Sequence, residues 1–262
     1  MSIRTEDIAK FGQLYLQRGA WQGKRILSEK WVERATSKQV ESQMDGSPDW
    51  KQGYGYQFWR CVPEGFYRGD GAFGQFCIVM PQHDMVVALT SASNSLQGIL
   101  DNVWKHVAPS NEPGSAEEMN ARLRSLAVQG PTGSPSGSLP AGSYKADGST
   151  EFASSCRFEA APDGFRFIRQ AGDVTSSFNV GFNDWTRTDG IPWWRGGPCT
   201  IMSKAAWTAA DTLQIRMLNL REPSNWVHTV VFGDNRVKIE TERSAMFVPA
   251  EGPSFEGVSS RE

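Results

Sequence analysis

Two places in this chain combine residue types and spacing suited to chemistry. In Gly69-Asp70-Gly71-Ala72-Phe73-Gly74 three glycines fall within six residues, directly after Arg68. Backbone without Cβ atoms can approach a ligand closely and turn N–H groups toward it, an arrangement that favours negative charge. The competing reading is a hairpin entry whose glycines meet backbone demands, with Asp70 capping its own turn. The second place is Trp193-Trp194, set between Pro192 and Gly196-Gly197, a loop-like aromatic pair suited to an apolar ligand or a partner surface.

Other reactive types are scattered. His83, His106 and His228 stand at no partner spacing, which suits structural or solvated roles better than catalysis. Cys61, Cys77, Cys156 and Cys199 lie far apart with no Cys-x-x-Cys pair, so neither zinc nor any other cofactor is expected. Cys77 and Cys156 fall in strand-like runs and are expected to be buried free thiols.

The elements that must position these residues follow from periodicity. Thr5 before Glu6 and Asp7 reads as a helix cap, with Ile8, Phe11, Leu14 and Tyr15 at helical spacing up to Gly19. Ser28 caps a second helix carrying Trp31, Val32 and Ala35. Gly53 to Trp59 reads as an aromatic strand. In Phe66 to Ser93 the glycine-rich turn leads into Phe76, Ile78 and Met80 alternating with Cys77 and Val79, the turn Pro81-Gln82-His83-Asp84, and the apolar run Met85 to Leu89. That is a hairpin with one strand buried on both faces. Ser95 starts a third helix through Ile99, Leu100, Val103, Trp104 and Val107.

Residues 1–108 thus read as part of an α+β domain, an antiparallel sheet packed by helices. Residues 109–141 change to Pro, Gly and Ser and read as a linker, with a short polar helix over Ala116 to Leu126. Residues 142–250 read as an all-β domain, barrel-like or a sandwich. Its expected strands are Thr150 to Glu159, Phe165 to Arg169, Val174 to Val180, Ile201 to Trp207, Leu213 to Leu218, Trp226 to Phe232 and Arg236 to Thr241, with Gly233-Asp234-Asn235 a tight turn. Residues 251–262 read as a flexible tail.

The chain has 262 residues and a net charge of −2, with no run of Lys or Arg, which argues against nucleic acid and anionic membrane as partners. No stretch approaches ~18 uninterrupted apolar residues and the N-terminus lacks a signal-peptide core, so a soluble, cytoplasmic protein is expected. Half of the ten tryptophans follow residue 180, where aromatic side chains either fill a small barrel or line a cavity.

Tyr54-Gly55-Tyr56, Arg68-x-Asp70-Gly71-Ala72-Phe73-Gly74-Gln75 and Pro81-x-x-Asp84-x-Val86-Val87-Ala88 resemble the C-terminal half of the serine β-lactamase and penicillin-binding-protein superfamily. The likeness is closer to its class C-like branch of esterases, amidases and 6-aminohexanoate-dimer-hydrolase-like proteins. It covers about residues 2 to 108, and some members of that superfamily carry an extra C-terminal β domain. The resemblance implies a partial β-lactamase-like sheet and hydrolysis of an ester, amide or β-lactam bond through an acyl-enzyme, and it implies that relatives are often exported. It places the third cleft motif at Gly69-Asp70-Gly71 and one oxyanion donor at the Ala72 N–H, worth roughly 3 kcal/mol in such a site. Gly69 stands where that family has Lys or His, which leaves Arg68 as the cationic candidate.

The family's Ser-x-x-Lys and Tyr-x-Asn occur nowhere in the chain, and Ser177-Phe178-Asn179 matches Ser-x-Asn only by chance in the all-β region. The first expectation is therefore the C-terminal portion of a serine hydrolase, inactive as given, whose ester or amide substrate would need an N-terminal half. The alternative is a non-enzymatic protein that binds a ligand or partner through its aromatic-rich β domain. Apolar surface on Phe11, Trp31 and Val86 would further suit a homodimer.

Overall fold

The computed structural model describes residues 3–42, 47–107, 114–134, 137–148, 150–192, 197–244 and 251–260. The chain divides into two compact units, Met1–Leu123 and Arg124–Glu262.

In the first unit, helix α1 (Thr5–Leu16) begins one residue earlier than the cap pattern suggests, with Arg4 in the cap position and Thr5 Oγ1 2.9 Å from Thr90 Oγ1. A two-residue ribbon, β1 (Ala20–Trp21) with β2 (Lys24–Arg25), leads to α2 (Glu29–Thr36). The Ser28 side chain caps α2 by accepting from the Trp31 N–H at 3.1 Å, as the sequence predicts. The aromatic strand expected over Gly53 to Trp59 does not form. Gly53 and Gln57 adopt positive φ, so the segment folds back and Tyr54 bridges both Val40 and Trp59. Regular pairing begins only at β3 (Trp59–Arg60) and continues through β4 (Tyr67–Gly71), β5 (Gln75–Met80) and β6 (Met85–Leu89) as an antiparallel sheet in that order.

The strand buried on both faces is β5, while the apolar run of β6 is a half-buried edge strand. On β5, Phe76, Ile78 and Met80 pack with Leu100 and Val103 of α3 (Leu96–His106). Val79 packs with Tyr15 of α1 and Val32 and Ala35 of α2. Alternation along one strand therefore feeds two cores, one on each side of the sheet. Val86 is half-buried, packed against the core shared with α1. Phe11 and Trp31 remain about half exposed, stacked on Phe58 and tilted against Tyr56.

After α4 (Ala116–Ser125) the second unit is a β-barrel, with sandwich packing excluded by its closure. Its strands are β7 (Gly142–Ala146), β8 (Ser155–Ala161), β9 (Gly164–Ala171), β10 (Val174–Gly181), β11 (Thr186–Ile191), β12 (Cys199–Trp207), β13 (Thr212–Asn219), β14 (Asn225–Phe232), β15 (Arg236–Ser244) and β16 (Phe255–Ser259). Hydrogen bonding runs β10-β9-β8-β7-β16-β15-β14-β13-β12-β11, and a β10–β12 pairing closes nine strands into a ring with β11 outside it. At the closure Gly181 pairs with Lys204, and Thr188 Oγ1 of β11 accepts from the Asn179 N–H of β10 at 2.9 Å.

Three of these strands escape the sequence reading. β7 and β11 are short, and β16 falls within the expected tail. Residues 255–259 are no tail: they hydrogen-bond to β15 on one side and β7 on the other, and Phe255 is fully buried. The expected linker is also only partly free chain. Ser134 pairs with Trp207, the Trp185 indole N–H donates to the Val128 carbonyl at 3.1 Å, and Leu139 packs against the barrel core. A Cβ at Gly137 would lie 2.3 Å from the Trp207 indole, so only glycine lets the strap cross so closely.

Candidate functional site

The glycine-rich stretch is the first site to place. Gly69, Asp70 and Gly71 belong to β4, and the turn proper is Ala72 to Gly74, where Phe73 and Gly74 take positive φ. Gly74 is thus required by its backbone. Gly69 and Gly71 are not: neither has positive φ, and an added Cβ would meet neighbours at ordinary contact distances of 4.0 and 3.5 Å. Ala72 is exposed.

Arg68 occupies a different setting from a substrate-facing cation. Its side chain is fully buried and stacks over Trp50 at 4.5 Å. Nη1 donates to the Asp49 carbonyl at 3.2 Å and the Arg60 carbonyl at 3.1 Å, and Nε donates to Asp70 Oδ2 at 3.2 Å. Asp49 Oδ1 lies 3.8 Å away and also accepts from the Val62 N–H, while its Oδ2 accepts from Gln97 at 2.7 Å and the Trp104 indole at 3.0 Å. This ion pair ties β4 to α3 and to the turn before β3. Burial raises the Asp70 carboxyl above the usual range, against the pull of Arg68. Arg68, set between the Trp50 and Trp59 rings and the Asp49 and Asp70 carboxylates, knits the fold together and does not stand free as the cleft cation expected from its place beside the glycine-rich turn.

No cysteine acts as a poised nucleophile. All four are free and buried, and burial pushes Cys61 and Cys77 up to about 11 and Cys156 up to about 12. Among the described residues no cluster of three His, Cys, Asp or Glu is placed to hold a metal ion.

The site that residue spacing did not reveal lies inside the barrel. One end is filled by rings: Tyr144, Phe158, Phe165, Trp207 and Phe232 pack there, with Phe158 5.2 Å from Phe232 and Trp207 5.9 Å from Phe232. Toward the other end the inward side chains leave a cavity of about 480 Å³, within the ~300–1,000 Å³ range of small-molecule sites. Its walls are mainly apolar, including Phe152, Phe167, Phe178, Ile201, Met217 and Trp226, and Pro192 lies at its edge. The expected ligand residues Trp193 and Trp194 lie outside the described residues. Of the other tryptophans expected in the barrel, Trp207 fills the plug, Trp226 lines the cavity and Trp185 donates to Val128.

The polar groups in the wall are Arg169, His228, Thr241 and Arg243. His228 is buried, with Nδ1 2.9 Å from Thr241 Oγ1, and its ring lies 5.5 Å from Phe152 and 6.1 Å from Phe167. Burial first and the Arg169 charge second push its pKa down to about 3, so it is neutral at pH 7. Such residues leave little sequence trace, since each is one member of an inward alternation; the signal was Arg169 and Arg243 standing in register with Phe167 and Thr241 on the inward side.

Fold and cavity together define the second unit as a closed barrel, antiparallel except at its parallel β10–β12 closure, with an internal, largely apolar chamber. No protein-family model matches the chain, and no curated protein matches it.

Proposed function

We propose that this protein binds an apolar small molecule in its barrel. The observation that carries the reading is the cavity of about 480 Å³ with aromatic and aliphatic walls, left beside a plug that fills the rest of the interior. Barrels of this size are ordinarily filled by their own side chains, so an unfilled apolar chamber is suited to a ligand. Titration of the full chain with the neutral probe N-phenyl-1-naphthylamine tests it. Saturable enhancement is expected, weakened by Ile201→Trp, which fills the chamber; absence of any saturable signal would overturn the reading.

A second reading keeps the hydrolase resemblance of residues 2–108. What supports it is that Gly69 and Gly71 answer to no positive-φ or close-packing demand of the fold and stand next to the exposed Ala72. Acyl transfer at such a face needs a nucleophile and base that these 262 residues do not supply as Ser-x-x-Lys. The unaided chain is therefore expected to resist a fluorophosphonate probe. Covalent labelling at a serine, read by mass spectrometry, would contradict that inactivity.

A further inference from the structure

The barrel chamber carries two arginines and, among its described lining residues, no acid. Arg169 is on β9 and Arg243 on β15, both on the inward side of the wall. The Nε atoms of both are buried without a hydrogen-bond partner among the described residues. For Arg243 the hydrogen bond described is Nη2 to the Glu251 carbonyl, at 3.2 Å. Arg169 has its guanidinium 5.3 Å from the Phe152 ring, which covers a face but accepts none of its in-plane N–H groups.

No described Asp or Glu side chain comes within ion-pair distance of either residue, whereas Arg157, Arg166 and Arg187 on the barrel exterior all have acidic partners. The neighbours in the wall cannot compensate. His228 is neutral at pH 7, and Thr241 is engaged with it. A lysine in such a place could shed its proton, but arginine does not, so two cations stand in the wall of an apolar chamber, each partly exposed and with its Nε buried. A buried donor without an acceptor is unfavourable, and an anion bound at the chamber side of the two guanidinium groups satisfies those donors.

We infer that the ligand of the barrel is an apolar molecule with a carboxylate head, held by Arg169 and Arg243 while its body lies against Phe167, Phe178, Ile201 and Met217. The inference rests on the ligand-binding reading above and adds the chemistry of the ligand. The planar guanidinium matches a carboxylate with paired, charge-assisted hydrogen bonds. Neutral Trp226, in register with Arg243 across β14 and β15, supplies the adjoining apolar wall.

The test compares decanoate with 1-decanol by displacement of N-phenyl-1-naphthylamine from the full chain, and repeats it with Arg169→Met, Arg243→Met and the double variant. Wild-type protein is expected to bind decanoate at least tenfold more tightly than 1-decanol. Each methionine variant should lose at least tenfold for decanoate and change little for 1-decanol. Retained binding of the neutral probe shows that a variant is folded, and Arg169→Lys with Arg243→Lys, which keep the charge, should retain part of the preference. Equal binding of acid and alcohol, or methionine variants that still prefer the acid, would overturn the carboxylate assignment and leave the apolar-binding reading standing. Failure of the neutral probe as well as both decyl compounds would overturn both.

Discussion

His228 shows how one buried side chain sets a pH dependence for the barrel. Its folded pKa, about 3, lies below the ~6.5 of an unfolded histidine, so the unfolded chain takes up the proton first. The stability it contributes is whole above ~6.5 and is lost as the pH falls toward 3, at about 1.4 kcal/mol per pH unit. Urea titrations between pH 7 and pH 4 should therefore show a steep fall in barrel stability that is flattened in His228→Gln. Equal slopes would mean that the imidazole takes up its proton in the fold. Arg68 carries the opposite lesson about legibility. Beside a glycine-rich turn it reads as a cation for a substrate, yet nothing in the local sequence places Trp50 and Asp49 around it, or Trp104 on Asp49; those partners come from 18 and more residues away.

At the level of elements, the strands that were legible are those with a long alternation. β13 is the clearest, with Leu213, Ile215 and Met217 inward and Gln214 and Arg216 outward, and the Gly233-Asp234-Asn235 turn falls between β14 and β15 as its residues suggest. β16 was not, because Phe-Glu-Gly-Val-Ser is brief and glycine-interrupted, and only its two neighbours make it a strand. A tail residue there would be nearly silent, within about 0.5 kcal/mol on substitution. Phe255, fully buried and 6.0 Å from Phe152, should instead cost about 3–5 kcal/mol as Phe255→Ala in chemical denaturation. A near-zero change would return the segment to the status of a tail.

For the whole molecule the governing fact is two units with separate cores. Phe76, Ile78, Val79 and their helices build those of the first unit, and the barrel builds its own from the inward faces of its strands. A change in one core is expected to act on its own unit. Arg68→Met removes the cation from a fully buried Asp49 and should cost the first unit about 3–5 kcal/mol. Followed by residue-resolved amide signals in urea, residues 1–123 should unfold at lower denaturant while barrel signals keep their midpoint. A common shift of both sets would show one cooperative unit. The small net charge of −2 provides no strong field over the molecule, so recognition must be local, inside the chamber or at a defined face.

What the sequence determined by itself is local: the caps and periodicity of the helices, the alternation of the long strands, the turns that join them, and the boundary region where apolar periodicity gives way to Pro, Gly and Ser. These are decided by residues within about one turn or one hairpin of each other. Closure was decided only in three dimensions. Ring formation pairs β16 with β7 and β10 with β12, residues more than a hundred and more than twenty positions apart respectively, and no local pattern records those pairings. The chamber is a product of closure as well. Arg169 and Arg243 sit on ordinary alternating positions of two distant strands, and they share a cavity because the barrel wall curves until both face its interior.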